Sequence, residues 1–187
     1  GKLYPLFVGA NEETPVGVWL DADEGEMTTD KKTGTQKVKS KLGNLAYRPG
    51  WHLGDIPLAT HIGVKGDSGK IEYMNPDHVW AEVDVAADIN YQTEANKNGI
   101  NPKTGKMNRA KADIKKIPVD GFYRFKTNPN MTGEWIITGA IKINRVLSDS
   151  EAAKIVRDAG YEPLPRTGTD VKYQLRDSRT AKDVEKL

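Results

Sequence analysis

The sequence predicts an α+β domain built on a strongly bent, mostly antiparallel sheet, continuous or split into two, with a few short helices. Three observations lead there. Segments of strand character outnumber helical ones by about six to two. Val79, Ala81, Val83 and Val85 alternate with Trp80, Glu82 and Asp84, the period of a half-buried strand. The longest β-rich run, residues 134–146, is interrupted once by Gly139, and Ser148-Asp149-Ser150-Glu151 behind it has the spacing of a helix capping box.

In chain order, residues 3–8 and 16–20 are short and apolar and are expected to pair as strands through Asn11-Glu12-Glu13. Residues 21–41 carry almost no large apolar side chains and are expected to form a mobile surface excursion. Within it, Lys37, Lys39 and Lys41 alternate with Val38, Ser40 and Leu42, as in an edge strand or an extended basic arm. Pro49, Gly50 and Gly54 predict a loop over residues 47–55, followed by a short helix over 57–64 and a strand over 70–74. Asn, Lys, Gly and Pro dominate residues 90–112, predicting a long loop with a helical turn near Tyr91 to Ala95. The aromatic strand 121–125 should pair with the 134–146 run through a turn at 128–133. A last helix starts at Ser148, buries Ala152, Ile155, Val156 and Ala159, and stops at Gly160. The expected organisation is one domain over residues 1–162 and a polar extension or linker over 163–187.

A chain of 187 residues can bury a real core, and 37% apolar with 29% charged residues is a soluble balance. The absence of cysteine rules out disulfides, thiolate metal sites and cysteine nucleophiles, and it fits a cytoplasmic location. No apolar run approaches the roughly 18 residues of a bilayer span. The start, Gly1-Lys2-Leu3-Tyr4, lacks an initiating Met and an apolar signal, as expected of a piece of something longer. A net charge of +2 gives no overall field toward nucleic acid. That partner would need the Lys37 to Lys41 arm and the Tyr123 to Lys126 strand, with its two aromatics for stacking, to share one basic face.

The chemistry concentrates in Tyr47-Arg48-Pro49-Gly50-Trp51-His52-Leu53-Gly54-Asp55, where an indole, an imidazole, a guanidinium and a carboxylate share a Gly- and Pro-containing frame. His52 can hydrogen-bond or move a proton near neutral pH, or simply satisfy a backbone carbonyl. Arg48 can hold a phosphate or carboxylate through its planar fork, or pair with Asp55 across the turn. Glu134 stands at the mouth of an apolar strand, either facing a cleft or as a solvated strand-end charge. His52, His61 and His78 have no metal-ligand spacing, so no metal site is expected, and the Gly-x-Ser-x-Gly elbow and phosphate-loop fingerprints are missing.

Taken together, the Leu-Tyr-Pro-Leu-Phe start, the Arg-Pro-Gly-Trp-His-Leu-Gly-Asp segment, the Val-Trp-Ala-Glu-Val-Asp-Val strand and the Gly-Glu-Trp-Ile-Ile-Thr-Gly-Ala-Ile strand resemble ADP-ribosyltransferase-like domains of large phage and mobile-element proteins from gut bacteria. The resemblance covers residues 3–147. It implies a split, bent sheet holding nicotinamide adenine dinucleotide (NAD), and transfer of ADP-ribose to an unknown acceptor. It further implies His52 and Glu134 as catalytic residues and Arg48, Tyr47 and Trp51 as dinucleotide contacts. The carboxylate would stabilise positive charge developing at the ribose carbon. The first strand offers neither the Arg nor the His that the family carries there, and no Ser-Thr-Ser occurs. A noncatalytic relative that binds a protein partner therefore stands beside the enzyme.

Overall fold

The computed structural model describes residues 2–5, 11–40, 43–59, 64–65, 71–72, 78–126 and 133–164. Its sheets are mostly antiparallel and open, with two short α-helices among the described residues, an α+β fold as the sequence predicts. Two sheets make the body. The first runs β1 (Trp19–Asp21), β12 (Ala140–Val146), β8 (Ala81–Val85) in space. The second runs β5 (Trp51–Gly54), β11 (Trp135–Thr138), β10 (Gly121–Phe125), β9 (Ile89–Asn90), and only its β9–β10 pair is parallel.

The long β-rich run joins these two sheets, because β11 and β12 are separated by Gly139 alone. The Gly139 N–H donates to Gly121 O in the second sheet at 3.1 Å, and its carbonyl accepts from Ala22 N beside the first at 2.8 Å. Residue 139 must be glycine: a Cβ would fall on the Pro118 carbonyl and lie 3.1 Å from Val119 Cα. Next to it the buried Thr138 hydroxyl sits 2.9 Å from Gly121 O, 3.2 Å from Ala86 O and 3.3 Å from Ala140 O, so this corner carries its own polar partner.

A core forms on one face of the second sheet. Tyr123, Phe125 and Ile137 are buried there with Ala95 and Ile114, and Tyr91 and Trp135 pack against them. Ala95 comes from α1 (Gln92–Gly99), which is a full helix where only a turn is expected from sequence. A 3-10 helix (Arg109–Lys111) follows. In the first sheet Ile141 and Ile143 are buried. On β8 Ala81, Val83 and Val85 are half-buried while Glu82 and Asp84 stay outside, as read from sequence, but ahead of the strand Val79 is exposed and Trp80 half-buried, the reverse of the expected alternation. The last helix, α2 (Asp149–Asp158), starts with the expected capping box between Ser148 and Glu151, and of its apolar face Val156 is buried whereas Ala159 is exposed.

Four expectations change. Residues 2–5 are not a strand; Thr14 N donates to Leu3 O at 2.8 Å, but β1 pairs with β12. The polar excursion is a three-stranded meander of β2 (Met27–Thr29), β3 (Gln36–Ser40) and β4 (Gly43–Ala46), and Lys37 and Lys39 lie on its central strand. Val38 supplies the reason, since burial of this one apolar side chain needs a neighbour on each side of β3. Residues 57–59 are not helical, and Val64 begins β6 (Val64–Lys65), which pairs with β7 (Ile71–Glu72). The expected loop 47–55 contains β5. Residues 60–63, most of the 70–74 strand, the 127–132 turn and residues 165–187 lie outside the described residues.

Candidate functional site

The Tyr47 to Asp55 segment enters the second sheet as its edge strand. Gly50 has a φ of 133°, and a Cβ there would sit 2.6 Å from Ile137 Cγ2, so only glycine lets the chain come in this close. Trp51 Nε1–H donates to Leu20 O at 3.0 Å, tying β5 to β1 across the two sheets. His52 lies opposite Ile137 in the ladder. Its Nε2–H donates to Arg48 O at 2.9 Å, and its ring is tilted against Trp135 at 6.4 Å. One side of the imidazole stays open to solvent. Loss of hydration on burial holds its pKa below the ordinary value, opposed by the bond to Arg48 O and aided by the Arg48 charge.

Arg48 is held at one edge and on one face of its guanidinium. Its Nε donates to Asp113 Oδ2 at 3.1 Å, and the guanidinium carbon lies 4.3 Å from the centre of the Phe125 ring. The buried Asp113 carboxylate also accepts from Lys115 Nζ at 3.0 Å, and the same ammonium donates to Tyr47 O at 3.0 Å. Asp113 thus stitches the 47–48 segment to the chain after the 3-10 helix. Tyr47 is buried, and burial followed by the neighbouring Glu24 carboxylate raises its hydroxyl pKa. The sequence pairing of Arg48 with Asp55 does not form. Asp55 instead takes both oxygens to Arg124 Nη1, at 2.9 and 3.2 Å, because the strand carries its side chain past the end of β5 toward β10.

Glu134 precedes β11 and belongs to a second network. Its Oε1 accepts from Arg109 Nη2 at 3.1 Å, with both side chains about one-third exposed (34% and 32%). Arg109 Nη1 also donates to Asn96 Oδ1 at 3.0 Å, and Asn96 Oδ1 accepts from Gln92 Nε2 at 2.9 Å. Arg124 feels the same surroundings: its bond to Asp55, then the Asp55 and Glu134 charges, raise its pKa. This end of the sheet is a matched set of two guanidiniums and two carboxylates, rather than a carboxylate held ready alone.

The structure brings Tyr47, Arg48 and His52 into one cluster, sends Trp51 to the other sheet, and gives Glu134 a separate set of partners. Glu134 lies three residues along the chain from Ile137, the ladder partner of His52, which at the rise of a strand is about 10 Å. No bond links His52 to Glu134. The residues that sequence reading passed over are Gln92, Asn96 and Arg109, within the stretch 90–112 read as a loop with a helical turn, and Asp113 just after it. Gln92 and Glu94 both lie on α1, where Gln92 bonds to β10 and Glu94 to Lys116 at 3.1 Å. Tyr123 and Phe125 point into the core, so they offer no base-stacking face beside Lys37 and Lys39.

Among the described residues no three His, Asp or Glu side chains are grouped to hold a metal ion, and no helix is long and apolar enough to cross a membrane. These features define an α+β fold whose two main open sheets share one bent strand run. No protein-family model, curated protein or solved structure matches the chain.

Proposed function

We propose that this chain is a noncatalytic protein-interaction module of a larger, multidomain protein of the phage or mobile-element kind. One observation carries the reading: Arg48 Nε, Trp51 Nε1, His52 Nε2 and Glu134 Oε1 are each bonded to the fold's own partners, Asp113, Leu20 O, Arg48 O and Arg109. A dinucleotide would have to displace those bonds, and each buried one given up costs about 1–3 kcal/mol. Trp19, 53% exposed beside the exposed Val16 and Val18 at the edge of the first sheet, supports contact with a protein, since such anchors concentrate binding energy.

A second reading, transfer of ADP-ribose from NAD to an acceptor, is favoured by the partial exposure of Glu134 at the head of β11. Calorimetric titration with NAD to millimolar concentration, on the native chain, His52→Ala and Glu134→Gln, separates the two. The interaction module binds no dinucleotide in any form. Saturable binding lost in His52→Ala, with turnover but not binding lost in Glu134→Gln, gives the transferase instead.

A further inference from the structure

The charge of this chain is unevenly placed. Residues 97–116 contain seven basic side chains and one acid, Asp113, whereas the whole chain nets only +2, so the remainder is negative. Three of the seven are neutralised within the fold: Arg109 by Glu134, Lys115 by Asp113 and Lys116 by Glu94. The other four, Lys97, Lys103, Lys106 and Lys111, are exposed and form no ion pair among the described residues.

These four ammonium groups stand on an ordered backbone. The chain leaves α1 and doubles back as a short ribbon, with Asn108 N bonded to Gly99 O at 2.9 Å, Ile100 bridged to Met107, and Asn101 N bonded to Lys106 O at 2.9 Å. Asn101 Oδ1 accepts from Lys103 N at 2.9 Å and fixes the tip, and Asn108 Oδ1 accepts from Ala110 N at 3.0 Å to start the 3-10 helix. Lys97 closes α1, Lys103 and Lys106 sit on the tip, and Lys111 ends the 3-10 helix. Cations on a backbone already ordered lose less freedom when an anion binds.

We propose that this ribbon, with Lys97 and Lys111 on the helices that flank it, binds the phosphate backbone of a nucleic-acid duplex without reading its sequence. A duplex presents about one negative charge per 1.7 Å, a density that matches clustered lysines lacking carboxylate partners, and its major groove is wide enough for a two-stranded ribbon. Residues 97–116 contain no Trp, Tyr or Phe, so the surface lacks both the stacking groups of single-strand binding and the aromatic anchors of a bilayer interface. Its exposed apolar residues are Ile100 and Met107 only. The proposal is independent of the protein-interaction reading, which uses none of Lys97, Lys103, Lys106 and Lys111.

The test is fluorescence anisotropy of a labelled 20-base-pair DNA of arbitrary sequence, about two helical turns, titrated with the full chain at several salt concentrations. Four phosphate contacts predict a slope of about −3.6 in log affinity against log salt, which is about a 100-fold loss between 50 and 200 mM. The variant with Lys97, Lys103, Lys106 and Lys111 all changed to Gln should melt like the native chain and bind at least tenfold more weakly, whereas Lys31, Lys32 and Lys37 changed to Gln should leave binding within about twofold. No binding at 50 mM salt, a slope near zero, or equal loss in both variants overturns the proposal. So does tighter binding to anionic phospholipid vesicles or to polyglutamate than to the duplex.

Discussion

The side-chain amide of Gln92 completes the backbone bonding of Arg124: its Oε1 accepts from Arg124 N at 2.7 Å and its Nε2 donates to Arg124 O at 3.1 Å. β9 pairs with β10 only at Gly121 and Phe122, so beyond them the strand needs another partner, and the first residue of α1 provides one. Helix and sheet are thereby registered to each other.

Gln92→Ala leaves a strand N–H without its acceptor and should cost about 1–3 kcal/mol in urea unfolding. It should also speed hydrogen exchange at the Arg124 amide while leaving Ile137, on the neighbouring strand, slow. Unchanged exchange at Arg124 would show that water replaces the side chain at no cost.

Asp113 is the buried centre of the Arg48 cluster, and removing it strands a guanidinium against Phe125. Asp113→Ala should destabilise by about 3 kcal/mol, the range for breaking a buried pair. Adding Arg48→Met should recover much of that loss, because the double variant leaves no buried charge unpaired; Lys115, the other partner of Asp113, is exposed. If the two substitutions simply add in chemical denaturation, the pair is not coupled.

Sequence made some of this legible and hid the rest for identifiable reasons. The β8 alternation and the Ser148 capping box are local patterns, and both are found, the first only from Ala81 on because Val79 and Trp80 precede the strand. The Gly139 break locates the bend because strand propensity runs on either side of it. α1 is less visible, since its N-cap residue Tyr91 makes no side-chain capping bond and its buried residues are only Ala95 and Gly99. The partners of the candidate site are hidden for another reason. Arg48 meets Asp113 65 residues away, and Asp55 meets Arg124 69 residues away, pairings that no local spacing encodes.

The corner at Gly139 should tolerate no side chain. Gly139→Ala drives a methyl into the Pro118 carbonyl, and because backbone rather than a flexible side chain is in the way, strand or turn must shift. A loss of about 2 kcal/mol or more in thermal or urea unfolding is expected, at the high end of overpacking costs. Gly133→Ala meets nothing within 4 Å but keeps a φ of 70°, so it should cost less, about 1 kcal/mol. Only Gly133 has a positive φ, so equal losses at the two sites would mean that the chain relaxes around the collision with Pro118.

Two groups bound the pH range of stability from opposite ends. His52 in the folded chain titrates below its ordinary 6.5, so as pH falls through that value the unfolded chain takes up the proton first. Stability is complete above pH 6.5 and declines below it until the folded imidazole also protonates, and the ring's open side keeps the effect modest. Tyr123 acts in the other direction: burial of its hydroxyl, which accepts from Ile114 N at 3.3 Å, pushes its pKa from 10.0 up to about 12. The unfolded chain therefore releases that proton first as pH rises through 10, and the stability lost by pH 12 is on the order of 2–3 kcal/mol. Urea midpoints measured from pH 5 to 11 should form a plateau with a shallow acid shoulder and a steeper alkaline fall. His52→Gln should flatten the first and Tyr123→Phe the second, and a shoulder that survives its substitution belongs to another group.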